Sequence, residues 1–142
     1  MNLAGNELKE LPDGMNALHS LEEFDLSFNS FNSEHKAADV WFILATLPNL
    51  RILNISRNFL RGIHTEKLVA GNFNSLEKLD FSYNIVENQH NLISARNFQS
   101  LQILDVSGNP FAKAKMHKGL EMEIYAKTGS YINKMAQIRN FY

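Results

Sequence analysis

The sequence contains no cysteine among its 142 residues. That removes disulfides and thiol nucleophiles, and it favours a reducing compartment, because small secreted domains are commonly stapled by disulfides. No apolar run approaches ~18 residues, so no segment reads as a membrane span. No N-terminal stretch joins a basic segment, an apolar run and a small-residue cleavage site. Neither charge dominates: 14 basic against 15 acidic side chains leave a net charge of −1, without the basic stripe that nucleic-acid binding needs. The 7 glycines form no phosphate-cradling loop, and no serine stands in a nucleophile elbow. His19, His35, His64, His90 and His117 are scattered, with no Glu spaced from them as a metal site requires. No catalytic, metal or cofactor site is expected, and the chain reads as a non-enzyme.

What is present is a phrase used again and again. Leu101-Gln102-Ile103-Leu104-Asp105-Val106-Ser107-Gly108-Asn109-Pro110-Phe111 is matched by residues 76–86, 50–60 and 21–31, and a clipped copy occupies residues 1–8. The asparagines fall at Asn6, Asn29, Asn58, Asn84 and Asn109, giving periods of 23, 29, 26 and 25 residues. This is the leucine-rich repeat phrase, with one short strand per repeat. The expected fold is an α/β leucine-rich repeat solenoid, right-handed, with a parallel concave sheet and an irregular or helical convex side. Its repeats span 1–111. The first, fourth and sixth positions and the later Leu, Val or Phe point inward and stack on their counterparts in the next repeat. The Asn is expected to be buried where the strand turns away, with its amide satisfying backbone groups.

The segments between phrases are the returns. Pro12 and Asp13-Gly14 mark a turn in the first. In the second, Asn32 or Ser33 caps a helix with Glu34 in its first turn, and Ala37, Val40, Trp41 and Leu44 face the core at helical spacing. Trp41 reads as core. The third predicts a short helix at 65–69, and the fourth a helical turn at 92–95. Residues 112–142 form the other unit: a helix over 113–127 with Met116, Leu120 and Ile124 on one face, then an extended tail. That helix is the expected C-terminal cap. Residues 1–112 carry a balance of −5 and residues 113–142 one of +4, so this end offers either a solvated cap or a polar contact for an acidic partner. Met1 to Leu8 is already mid-repeat. The expectation is that missing sequence continues this edge or that another chain covers Met1 and Leu3.

With these residues in view, the chain looks like an intracellular leucine-rich repeat protein. More narrowly, residues 21–31 running on to 43–51, and the final repeat with Asn109-Pro110-Phe111 and residues 129–139, resemble the X-ray radiation resistance-associated protein family. The resemblance implies a non-enzymatic intracellular interaction protein. By analogy with cytosolic repeat scaffolds of cilia and microtubules, it points to cytoskeletal or axonemal protein partners.

Strand positions between the leucines form rows across the repeats. The row Gly5, Phe28, Arg57, Tyr83, Gly108 carries aromatic and Arg side chains, the usual anchors of protein interfaces. Its members either bind a partner or fold over the sheet rim and pack locally. A second row holds Glu23, Ile52, Lys78 and Ile103. A third holds Asn2, Asp25, Asn54, Asp80 and Asp105, and could take a basic peptide or metal or remain solvated surface. The candidate partner-binding residues are therefore Phe28, Arg57, Tyr83, Glu23, Ile52, Lys78, Asp25, Asp80 and Asp105. The function expected is a protein-interaction module working through its concave face. The alternative is a passive brick held by its convex loops, N-terminal edge or basic C-terminal end.

Overall fold

The computed structural model describes residues 1–12, 14–32, 40–64, 73–88, 90–92 and 98–113. The expected helices at 65–69 and 113–127, the tail, most of the 92–95 turn and the Ser33–Ala37 part of the second return lie outside the described residues.

Each full phrase supplies one three-residue strand: β1 (Glu23–Asp25), β2 (Ile52–Asn54), β3 (Lys78–Asp80) and β4 (Ile103–Asp105). They form one parallel sheet in chain order. The register is that of the sequence alignment, with Phe24, Leu53, Leu79 and Leu104 opposite one another. The clipped first phrase adds a single parallel bridge from Asn2 to Asp25. Parallel neighbours need a long crossover, and each return segment supplies it.

The central residue of every strand points inward and is buried, as are Leu26, Ile55, Phe81 and Val106 two residues on and Phe31, Leu60, Val86 and Phe111 beyond the asparagine. These rows make one continuous core. Each such side chain contributes ~1.5–3 kcal/mol when fully buried. The helix α1 (Val40–Leu44) places Val40, Trp41 and Leu44 in that core, as the helical spacing predicts. Trp41 meets Phe73 edge-on at 6.1 Å and Phe81 at 5.9 Å, and Phe73 in turn meets Phe98 at 4.9 Å. A 3₁₀ turn at Met15–Ala17 buries Met15 in the first return. Another, at Pro110–Lys113, follows the last phrase.

The asparagines act as predicted. Asn58 Nδ2 donates to the carbonyls of Leu26 (3.1 Å) and Ile55 (3.2 Å), and its Oδ1 accepts from Phe31 N–H at 3.1 Å. Asn29, Asn84 and Asn109 repeat the arrangement one repeat earlier or later. The turn out of each strand would otherwise leave buried carbonyls and amides unpaired. On the return side, Asn49 Nδ2 donates to His19 O and Ser75 Oγ to Pro48 O. Among the described residues, no helix is long and apolar enough to cross a membrane.

Candidate functional site

The open face of the sheet begins with the row Glu23, Ile52, Lys78, Ile103, which are aligned as register partners. Glu23 and Lys78 are exposed, and the two isoleucines between them are half-buried. This is the alternation that a half-buried strand requires, carried sideways across four repeats.

The next row is Asp25, Asn54, Asp80 and Asp105, also in register. Each accepts a hydrogen bond from the backbone N–H two residues on: Ser27 to Asp25 at 2.9 Å, Ser56 to Asn54 at 3.1 Å, Ser82 to Asp80 at 3.0 Å and Ser107 to Asp105 at 2.9 Å. Asn2 does the same for Ala4 at 2.8 Å. These are Asx turns, which bend the chain as it leaves the strand. One oxygen of each side chain is thereby committed to the backbone, and all four are half-buried. Among the described residues, no group of three or more acidic or histidine side chains could hold a metal ion. The recurrence of Asp or Asn two residues before Ser carries the turn signal in the sequence.

Phe28, Arg57 and Tyr83 stand three residues beyond the strand ends, on the rim. The row is thus displaced from the strands where sequence periodicity places it. All three have left-handed backbones, with φ of 54°, 53° and 53°, and Gly5 and Gly108 share the conformation at 70°. Few non-glycine residues adopt it. It is held by a backbone ladder, in which Phe28 N–H donates to Ser56 O, Arg57 N–H to Ser82 O and Tyr83 N–H to Ser107 O. The side chains form a stack along the rim. The Arg57 guanidinium carbon lies 4.9 Å from the Phe28 ring centroid and 4.2 Å from that of Tyr83. Tyr83 then lies over Gly108, where a Cβ would come within 2.6 Å of the ring. Local packing and exposure coexist: Phe28 is 59% and Tyr83 51% exposed.

Sequence reasoning missed two features of this surface. Phe59, 52% exposed, lies just beyond Asn58 and adds a third open ring. At the opposite rim, Arg51 bridges Glu77 at 3.1 Å and Glu22 at 3.3 Å. Hydrogen bonding to Glu77 raises the Arg51 pKa, and the same contact lowers that of Glu77. The signal was available, because Glu22, Arg51 and Glu77 occupy one repeat position with alternating charge.

A parallel sheet built one strand per repeat, with an inward leucine ladder and a buried asparagine ladder, defines an α/β leucine-rich repeat fold. Among solved structures the chain is similar to the leucine-rich repeat protein LIC12759 of Leptospira interrogans, at 25% sequence identity and a TM-score of 0.58 over 77% of this chain. The match takes in 25% of that protein's chain, so the present chain spans about a quarter of its length. No protein-family model matches the sequence. No curated protein matches it either. None of these comparisons shows the X-ray radiation resistance-associated family.

Proposed function

We propose that the chain is a non-enzymatic protein-interaction module, with a partner protein lying on the open, concave face of the sheet and against the Phe28–Arg57–Tyr83 rim. Glu23, Ile52 and Lys78 are its contacts on the strands, and Asp25, Asp80 and Asp105 offer their remaining oxygens beside them. The observation that carries this reading is the placement of Phe28, Phe59 and Tyr83, each more than half exposed, at the edge of a surface whose strands are otherwise polar or half-buried. Aromatic and Arg side chains dominate interface energetics. The repeats at 1–111 act in this reading as a solenoid, with residues 112–142 as their cap. The absence of cysteine and the resemblance to intracellular repeat proteins support a cytoplasmic scaffold in a larger assembly, with a cytoskeletal or ciliary setting as its narrower form.

A second reading, a passive structural part docked by its convex side, is favoured by Phe42, which α1 leaves 47% exposed. Affinity measurements with the purified partner separate the two. Arg57→Glu with Tyr83→Ala is expected to weaken binding by roughly 30-fold or more, the loss of a hot spot worth ~2 kcal/mol, with Phe42→Ala near neutral. The reverse pattern replaces the first reading with the second.

A further inference from the structure

We infer that the Phe28–Arg57–Tyr83 rim accepts an acidic side chain from an otherwise apolar segment of a partner protein. The inference rests on the sheet face being a docking surface and names the chemistry recognised there. Three arginines of the described residues carry distinct environments. Arg51 bridges two glutamates, and Arg61 lies 3.9 Å from Glu87. Arg57 has no carboxylate within ion-pair reach and no side-chain hydrogen bond among the described residues; its side-chain contacts are the two rings.

Stacking occupies the faces of a guanidinium and leaves its edge. That edge carries N–H donors in a planar fork suited to a carboxylate. Held between Phe28 and Tyr83, the fork is pre-oriented, so little rotamer freedom is lost on binding. A charge-assisted, bidentate pair is the strong form of this contact. The rings on either side, with Phe59 beyond, supply apolar surface for the neighbours of the acid.

The surrounding charges select the size of the anion. Glu23, Asp25, Asp80 and Asp105 line the adjoining sheet. A single carboxylate at the rim meets that field once. A phosphate carries about −1.5 to −2 and meets it nearly twice over, and a nucleic-acid strand meets it at every residue. The occupant that fits is a peptide with one Asp or Glu between apolar side chains.

The test uses the full 142-residue chain and four synthetic octapeptides, Gly-Ser-Leu-X-Leu-Phe-Ser-Gly, with X as Glu, Gln, phosphoserine or Lys. Binding is followed by NMR titration. The Glu peptide is expected to shift the Phe28, Arg57 and Tyr83 resonances and to bind at least tenfold tighter than the Gln peptide. In Arg57→Gln that tenfold preference is expected to vanish. Arg57→Lys, which keeps the charge and loses the planar fork, is expected to keep less than half of it on a logarithmic scale. The amide spectra of both variants serve as the check on folding, and Asn substituted at position 57, which tolerates the left-handed backbone, replaces any variant that fails it. Equal binding of the Glu and Gln peptides, a preference that survives Arg57→Gln, tighter binding of the phosphoserine or Lys peptide, or shifts confined to other residues would each overturn the inference. The docking reading is decided separately by the partner-affinity comparison, which does not depend on peptide charge.

Discussion

Asn84 Oδ1 accepts the backbone N–H of Leu60 at 3.0 Å, joining residues 24 apart in the chain. The same amide donates to Ile55 O at 3.0 Å and Phe81 O at 3.3 Å. One side chain therefore satisfies buried groups in two successive repeats. Replacing it with Ala leaves them unpaired, and a buried orphan costs roughly 1–3 kcal/mol. Asn84→Ala is expected to lose about 3 kcal/mol or more in urea denaturation. Asn84→Asp, which cannot donate when ionised, is expected to fare worse at neutral pH and to recover partly on acidification. Asn6 is exposed and donates to Leu3 and Ala4 of its own repeat, so Asn6→Ala is expected to cost under ~1 kcal/mol. Equal losses at both positions would contradict the ladder.

The Glu22–Arg51–Glu77 bridge predicts a small, pH-limited effect. The Glu77 pKa is lowered from its ordinary 4.5 by Arg51. A depressed carboxylate contributes stability above its unfolded pKa and loses it as pH falls through the folded one. Arg51→Gln is therefore expected to lower Tm slightly at pH 7 and low salt. That difference should close at acid pH, below the folded pKa of Glu77, and also at high salt, since both partners are exposed. The raised Arg51 pKa has no counterpart within the working pH range. A difference that persists unchanged in acid would place the effect in packing of the Arg51 stem.

The inward rows and the asparagine ladder were legible because they are chemistry at fixed spacing: Leu53 and Leu79 stack as they do because 26 residues separate both them and Asn58 from Asn84. Trp41 was legible as core from its helical spacing with Val40 and Leu44. The rim was not. A left-handed residue between Ser and Asn can be Gly, Phe, Arg or Tyr, and nothing in those side chains announces φ. Periodicity alone therefore put Phe28, Arg57 and Tyr83 on the strands. Asp25, Asp80 and Asp105 were misleading for a related reason: the carboxylate that looks like open surface is also the acceptor that turns the chain.

Gly108 permits both its own backbone and the position of Tyr83. Its φ is +70°, and an added Cβ would meet the Tyr83 ring at 2.6 Å. Gly108→Ala is expected to destabilise by ~1–3 kcal/mol through the backbone alone. The Tyr83 ring is exposed and can swing aside, so the steric part appears as displacement from Arg57. In NMR spectra the ring-current shifts of the Arg57 side-chain protons should diminish. Unchanged shifts would mean that the stack does not depend on Gly108.

Trp41 tests how far the repeats are coupled. Carried by α1, which follows β1, it packs on Phe73 and Phe81 of later repeats and is 1% exposed. It is also the single tryptophan of the chain, so its emission reports this contact alone. The emission is expected to be blue-shifted when folded and to move red in step with loss of secondary structure. Trp41→Ala should cost ~3–5 kcal/mol, a large share of a total of ~5–15 kcal/mol. Trp41→Phe, which keeps an aromatic contact with less volume, should cost less. Because repeats couple mainly to their neighbours, hydrogen exchange in Trp41→Phe is expected to rise most at Leu53–Ile55 and Leu79–Phe81, and least at Leu104–Val106. A uniform rise would show the repeats opening as one unit. A rise confined to residues 40–44 would show that α1 is dispensable to the sheet it covers.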